Sequence, residues 1–124
     1  MKICVTSQGD NLNSEVDSRF GRCQYFIIVD TDTLEFESLN NPYSSSMGGA
    51  GIQSGQFVAD KGVKTVLTGN VGPNAFQTLH AVGIDIVTGI SGTVLSAIEK
   101  FKSGAFSPAS GASVDKKFGI QPKE

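Results

Sequence analysis

Two arginines and a cysteine stand close together in the stretch Arg19-Phe20-Gly21-Arg22-Cys23. Guanidinium groups pair well with multi-oxygen or multi-sulfur anions, and neighbouring positive charge lowers the pKa of a thiol toward the metal-binding thiolate. The stretch therefore indicates a site for an anion or a metal. The alternative is that both arginines are solvated surface charges and that Cys23 is a small core residue, and the sequence favours neither interpretation.

Glycine-rich loops supply the second set of candidate binding groups. They are residues 7–13, the loop Gly69-Asn70-Val71-Gly72 before Pro73, residues 89–92, and Gly48-Gly49-Ala50-Gly51 at the start of a predicted helix. Where such loops follow the parallel strands of one sheet, helix N-termini and bare backbone N–H groups converge on one edge, which favours an anion. The alternative is that the glycines only make turns. Neither GxxxxGK[ST] nor GxGxxG occurs, so ordinary nucleotide binding has weak support.

The remaining reactive residues do not predict a catalytic centre. Cys4 lies in an apolar run and is expected as a small buried residue. His80 is the only histidine and has no metal-ligating or orienting partner near it in sequence. Thr6 and Ser7 stand where a two-metal hydrolase would need a carboxylate. We therefore predict that the protein is not an enzyme, and a nuclease in particular is disfavoured.

The elements that position these residues follow from the apolar pattern. Strands are predicted at residues 2–6, 25–30, 34–39, 63–68 and 84–87, and helices at residues 52–61, 73–82 and 94–102. The second and third strands form an antiparallel hairpin at a sheet edge, and the strands separated by helices pair in parallel. The result is an α/β fold, a mixed sheet with helices on both faces.

The first predicted helix has one buried arc and one aromatic residue that points away from it. The arc contains Ile52, Gly55, Val58 and Ala59, whereas Phe57 lies among polar residues. Phe57 either packs under a neighbouring loop or is an exposed contact for a partner.

Composition limits the function classes further. The chain has 124 residues, 39% of them hydrophobic and 18% charged, with a net charge of -2, which fits one domain and disfavours a basic nucleic-acid binder. No run approaches the roughly 20 apolar residues of a membrane helix, and no basic start leads into a long apolar segment, so we expect a cytoplasmic protein. Two cysteines without CxxC spacing are expected as thiols. Residues 105–124 lack periodicity and are expected to form a mostly disordered tail behind a domain of residues 1–104.

Three motifs in a fixed order resemble the dinitrogenase iron-molybdenum cofactor family, which takes part in nitrogenase iron-molybdenum cofactor biosynthesis. They are Arg19-Phe20-Gly21-Arg22-Cys23-Gln24-Tyr25-Phe26, then Asn41-Pro42 with Gly48-Gly49-Ala50-Gly51, then Gly69-Asn70-Val71-Gly72-Pro73-Asn74-Ala75-Phe76. The resemblance covers about residues 1–104 and is closest to the small stand-alone archaeal and bacterial members.

The resemblance implies a ribonuclease H-like, three-layer α/β/α fold with a five-stranded mixed sheet. It also implies that the protein carries or inserts an anionic metal-sulfur cluster, of the iron-molybdenum cofactor type or a molybdenum-copper sulfide, in cofactor assembly or metal homeostasis. The protein can be isolated without that cluster. The implied partner is a cluster donor or acceptor protein, with no nucleic acid and no membrane, and the protein itself is a monomer or weak dimer. The residues expected at the site are Arg19, Arg22, Cys23, Met47, Gly48, Gly49, Gly51, Gly69, Asn70, Gly72 and Asn74.

One departure from the family concerns the metal ligand. Several members carry a histidine before the glycine pair, whereas this chain has Tyr43-Ser44-Ser45-Ser46-Met47. This leaves Cys23 as the candidate metal ligand, or binding without any covalent ligand. Two alternative functions stay open, namely a metal-free sensor of small anions or nucleotides and a protein-interaction module that uses the sheet edge or Phe57.

Overall fold

A single mixed sheet of five strands forms the centre of the protein in a computed structural model that describes residues 1–46 and 48–114. The strands are β1 (Lys2–Ser7), β2 (Tyr25–Asp30), β3 (Phe36–Asn40), β4 (Thr65–Leu67) and β5 (Asp85–Val87). Their order across the sheet is β3-β2-β1-β4-β5. The pairs β1–β2 and β2–β3 are antiparallel, and the pairs β1–β4 and β4–β5 are parallel. The predicted hairpin and mixed sheet are confirmed, and the order is consistent with a ribonuclease H-like motif.

Helices cover both faces of the sheet, as predicted. They are α1 (Ala50–Ala59), α2 (Pro73–Ala81) and α3 (Val94–Lys102). Side chains of β1 alternate between the two faces, so that Cys4 packs with residues of α1 and α2, while Ile3 and Val5 pack with residues of α3. The three-layer α/β/α architecture is therefore confirmed.

Helix α1 differs from its predicted position and orientation. It begins two residues earlier, at Ala50, and Ile52 is 41% exposed instead of buried. The buried side is formed by Ser54, Gly55 and Val58, because α1 approaches α2 so closely that a Cβ at Gly55 would lie 2.9 Å from Cγ2 of Thr78. The predicted arc assumed that α1 packs on the sheet alone. Because α1 also packs against α2, a different arc of the helix is buried.

Phe57 packs under a loop, which is the first of its two predicted placements. Its ring centroid lies 5.7 Å from that of Phe26 in β2 and 6.3 Å from that of Tyr43 in the loop after β3. Lys61 Nζ stands 4.8 Å from the ring centroid on the solvent side. The ring is partly buried and packs against the core on the α1 and α2 face.

Residues 105–114 follow α3 without regular secondary structure but are bonded to the domain. Phe106 packs against the core on the α3 face, and the amide of Ala109 donates to the carbonyl of Ile86 at 2.7 Å. Residues 115–124, the rest of the predicted tail, lie outside the described residues. Among the helices that the structure describes, none is long and apolar enough to cross a membrane.

Candidate functional site

The segment after β1 turns back across the side of the sheet at which the carboxyl ends of the parallel strands β1, β4 and β5 lie. The amide of Asp17 donates to the carbonyl of Thr6 at 2.9 Å, and Thr6 Oγ1 donates to the carbonyl of Asp17 at 2.7 Å. Further along, the amide of Asn70 donates to the carbonyl of Ser18 at 2.8 Å. These bonds place the Arg19 to Cys23 stretch beside the loop after β4. A Cβ at Gly69 would lie 2.7 Å from Cα of Ser18, so this approach of two backbones requires glycine.

Gly21 lies against the N-terminus of α1, which in turn lies against the N-terminus of α2. A Cβ at Gly21 would lie 3.3 Å from both N and Cα of Gly51, in the first turn of α1. A Cβ at Gly51 would in turn lie 3.3 Å from N of Ala75, in the first turn of α2. One continuous backbone surface therefore contains the Arg19 to Cys23 stretch, the glycine motif at the start of α1 and the motif at the start of α2.

Several backbone N–H groups at this surface have no acceptor among the described residues. Gly49 has left-handed angles, φ 75° and ψ 6°, and is followed directly by helical residues, a combination that turns successive N–H groups into a concave anion-binding nest. No described residue accepts a hydrogen bond from the amides of residues 48–52, and both Gly48 and Gly49 are exposed. The partial positive charge of the helix N-terminus adds to these donors.

Helix α2 begins in a similar way, whereas α3 does not. Gly72 precedes α2 without a side-chain cap, and within residues 1–46 and 48–114 the amides of Gly72, Asn74 and Ala75 have no acceptor. At α3, by contrast, Thr93 Oγ1 accepts from the amide of Ser96 at 3.1 Å. The two uncapped helix N-termini are the two that lie side by side, which is the arrangement that an anion needs.

The two arginines of the first motif have different surroundings. Arg22 Nη1 donates to the carbonyls of Ser46 at 2.6 Å and of Ser44 at 3.4 Å, so its guanidinium holds the loop that leads to Gly48. Arg19 is 44% exposed and its Nε lies 3.5 Å from Oδ1 of the buried Asp17. No described carboxylate lies within 4.0 Å of Arg22, so its positive charge is not neutralised by an ion pair.

Asn41 is the central positioning residue, and sequence reasoning assigned it no place in the site. Its Nδ2 donates to the carbonyls of Gly21 at 3.1 Å and Cys23 at 3.0 Å, and its Oδ1 accepts from the amide of Tyr43 at 2.9 Å. Ser54 Oγ of α1 donates to the same Gly21 carbonyl at 3.1 Å. An asparagine before a proline, between a strand and a glycine-rich loop, is the sequence signal that could have identified it.

Cys23 is completely buried in the core, and the expectation that its pKa is lowered is wrong. Burial raises the pKa of this thiol well above 9.0, and the nearby Cys4 and Asp17 raise it further. The two arginines do not counteract this, because the guanidinium of Arg22 is directed toward the loop carbonyls of Ser44 and Ser46. Of the two interpretations of Cys23, the surroundings in the structure match that of a small core residue. The role of Cys23 as a metal ligand stays a prediction. Cys4 is also a buried free thiol.

The other predicted site residues that the structure describes lie at or near the same surface. Asn70 accepts from the amide of Phe20 through its carbonyl, at 3.1 Å, and Asn74 is exposed in the first turn of α2. Met47 lies outside the described residues. Within the part of the chain that the structure describes, no three His, Cys, Asp or Glu side chains are grouped so that they could hold a metal ion. The polar groups that the described residues present at this surface are backbone amides and guanidinium groups.

Comparison with known proteins agrees with the motifs. A model of the dinitrogenase iron-molybdenum cofactor family matches residues 1–104. The apo form of the orange protein from Desulfovibrio gigas is 38% identical, with a TM-score of 0.88 over 91% of this chain and 96% of that one. A Thermotoga protein of the DUF35 family, with a provisional assignment as NifB, is 34% identical, with a TM-score of 0.79 over 91% of this chain and 97% of that one. An uncharacterised protein of Methanocaldococcus jannaschii is 30% identical in an alignment of 95 positions that covers 74% of this chain and 80% of that protein.

Proposed function

Because the chain belongs to the dinitrogenase iron-molybdenum cofactor family, we propose that it binds and carries an anionic metal-sulfur cluster and catalyses no reaction of its own. The observation that carries this proposal is the pair of adjacent, uncapped helix N-termini at Gly49 and Gly72. A homologue described as an apo form further supports a ligand, since that description implies a ligand-bound state.

Binding in this proposal is non-covalent. The exposed amides of Gly48 and Gly49 hold one part of the cluster, and those of Gly72 and Asn74 hold another. Arg22 fixes the loop before Gly48 and adds positive charge, and the exposed Arg19 adds a second positive charge. Cys23 contributes to packing only, because the neutral thiol form is favoured by its burial. An overall charge of -2 means that attraction for an anion is local to this surface.

A substitution at Gly48 tests the proposed site with little steric disturbance. A Cβ at Gly48 meets no atom within 4 Å and its φ is not positive, so a side chain fits there. Gly48→Asp places a carboxylate beside the free amides of α1, where it is attracted by the helix N-terminus and repels an anion. Two unit charges about 5 Å apart interact by roughly 3 kcal/mol at an effective dielectric constant of 20, and exposure reduces this value. We expect at least a tenfold loss of affinity.

The measurement is reconstitution with tetrathiomolybdate and copper(I), or with iron, molybdate and sulfide, followed by desalting and absorption spectroscopy. Wild type should keep a charge-transfer band, Gly48→Asp should lose it, and the nearly isosteric Gly48→Asn should keep it. Cys23→Ala should also keep it, which separates non-covalent binding from thiolate ligation. If wild type binds neither preparation, or if Gly48→Asp binds as well as Gly48→Asn, the assignment of the site is wrong.

Arg22 provides an independent test with a charge-matched control. Arg22→Ala removes a positive charge and the bonds to Ser44 and Ser46, and we expect about a tenfold weaker cluster affinity. Lys64→Ala changes the net charge equally, but Lys64 directly precedes the first residue of β4 and therefore lies at the opposite edge of the sheet. Equal effects of the two substitutions would indicate that net charge alone determines binding.

A metal-free sensor of small anions is the second candidate function. It is favoured by the absence, among the described residues, of a group of metal-ligating side chains. Thermal shift measurements with phosphate and nucleotides distinguish it, because a ligand at one hundred times its dissociation constant adds roughly 2.7 kcal/mol of stability. Stabilisation by phosphate without any binding of thiometallates would favour the sensor.

A further inference from the structure

The segment after α3 returns to the site and binds the loop that precedes α2. We name residues 105–114 the C-terminal strap. Near its end, Ser113 Oγ accepts from the amide of Val71 at 2.9 Å, and the amide of Ser113 donates to the carbonyl of Val71, also at 2.9 Å. The amide of Val114 lies 3.3 Å from that same carbonyl. The strap therefore holds both polar backbone groups of one residue.

These bonds determine the orientation of two neighbouring peptide units. A trans peptide unit is planar, and its C=O and N–H groups point in opposite directions. In the unit that joins Asn70 to Val71, the carbonyl accepts from the amide of Phe20 at 3.1 Å, while the N–H points to the strap. In the next unit the carbonyl of Val71 points to the strap, so the N–H of Gly72 must point away from it. The strap thus turns the Gly72 amide to the side of the loop on which Phe20 and the first motif lie.

Within residues 1–46 and 48–114 the Gly72 amide has no acceptor, and nothing but the strap holds its direction. Gly72 itself has extended backbone angles and no side-chain cap, so its own conformation does not restrain this peptide plane strongly. The side chain of Val71 is buried in the core, which anchors the residue but leaves the rotation of its flanking peptide units to hydrogen bonds.

We infer that Ser113 is a positioning residue for the anion site, which acts through Val71 by presenting the Gly72 amide to the ligand before the ligand binds. This inference rests on the proposed function and adds a residue outside the 1–104 region of the family match. A donor that is already oriented spares the ligand the cost of ordering the loop, so the strap raises affinity without contacting the ligand.

The test uses full-length variants that remove the bonds stepwise. Ser113→Ala removes Oγ, which accepts from the Val71 amide at 2.9 Å and lies 3.4 Å from both Asn70 Oδ1 and the Val71 carbonyl, and Ser113→Pro also removes the backbone donor. Ser110→Ala and Ser110→Pro are matched controls, since Ser110 is exposed and forms no hydrogen bond with the described residues. With tetrathiomolybdate as the probe, we expect about threefold weaker binding for Ser113→Ala, about tenfold for Ser113→Pro and no change for the controls. Hydrogen exchange at the Val71 amide should accelerate at least tenfold in both Ser113 variants.

Amide chemical shifts separate positioning from a general loss of stability. In wild type the Gly72 amide signal should move when the probe saturates the site, and in Ser113→Pro this movement should be smaller even at saturation. A variant that is only less stable would keep the full movement at saturation. The inference is overturned if wild type and Ser113→Pro bind the probe equally, or if Val71 exchange is unchanged. If wild type does not bind the probe at all, the proposed function has failed and the role of Ser113 in it fails too.

Discussion

Replacing Asn41 should unfold the protein more readily than any comparable change at its exposed neighbour Asn40. Asn41 is 5% exposed and joins three segments, namely the first motif, the loop after β3 and, through Ser54, helix α1. Asn41→Ala removes three hydrogen bonds of 2.9 to 3.1 Å, two donated to the carbonyls of Gly21 and Cys23 and one accepted from the amide of Tyr43.

The expected loss of stability depends on which hydrogen bonds the former partners of Asn41 keep after the substitution. The Gly21 carbonyl keeps its bond from Ser54, and the Tyr43 amide lies in a half-buried loop that water can reach, whereas the Cys23 carbonyl loses the only donor that the described residues offer it. At about 1 kcal/mol for each bond, with an added penalty for a buried unsatisfied carbonyl, Asn41→Ala should cost about 3 kcal/mol. This is a large part of the roughly 5–15 kcal/mol by which domains are stable.

Equilibrium unfolding in guanidinium chloride measures this cost. With a slope of roughly 3 kcal/mol per molar for a domain of this size, the midpoint should fall by about 1 M without a change in slope. Asn40→Ala should change the free energy of unfolding by less than about 0.5 kcal/mol, because Asn40 is exposed. Asn41→Asp should be worse than Asn41→Ala at pH 7, since a carboxylate would face two carbonyl oxygens. If the midpoints of Asn41→Ala and Asn40→Ala agree to within about 0.2 M, the assigned role of Asn41 is refuted.

Two further predictions concern close backbone contact and thiol ionisation. Gly69→Ala should lower the melting temperature by several degrees because its Cβ would lie 2.7 Å from Cα of Ser18, whereas Gly48→Ala, with open space around it, should leave the temperature nearly unchanged. Equal melting temperatures would contradict the close approach. Burial raises the pKa values of Cys4 and Cys23 above 9.0, so the folded state keeps protons that the unfolded state releases. Below pH 9 these thiols therefore leave the free energy of unfolding unchanged. Above pH 9 each thiol lowers the free energy of unfolding by up to about 1.4 kcal/mol for every pH unit. Unfolding curves between pH 8 and 10 check this, and Cys23→Ala should lose less stability than wild type.

The elements of the fold could be predicted where local signals agree with one another. Helix α3 has the predicted bounds because Val94, Ile98 and Phe101 recur on one face, Thr93 is a good N-cap and Gly104 follows the last turn. The start of α1 was missed because it depends on which of the adjacent glycines takes the left-handed conformation, and two glycines in a row give no local preference between them.

The candidate site could be predicted in its position but not in its contacts. Loops after parallel strands share an edge in any such sheet, so the glycine loops and the first motif were expected together. The burial of Cys23 and the direction of the Arg22 guanidinium depend on contacts between segments that are 18 to 24 residues apart, such as Asn41 with Cys23 and Ser46 with Arg22. Sequence adjacency suggested that the arginines would act on the thiol, and tertiary contacts separate them.

The exposed amides of Gly48 and Gly49, which have no acceptor among the described residues, have a consequence for how an anion would leave the proposed site. A peptide N–H neither titrates between pH 2 and 12 nor changes oxidation state, unlike the imidazole and thiolate groups that ordinarily hold metals. The release of an ion held by such donors needs no protonation or redox change of the protein, so acidification or a change in redox poise would act through the ion itself. Departure then depends on a stronger ligand set offered by another molecule, and the exposure of Gly48 and Gly49 leaves room for that molecule to approach.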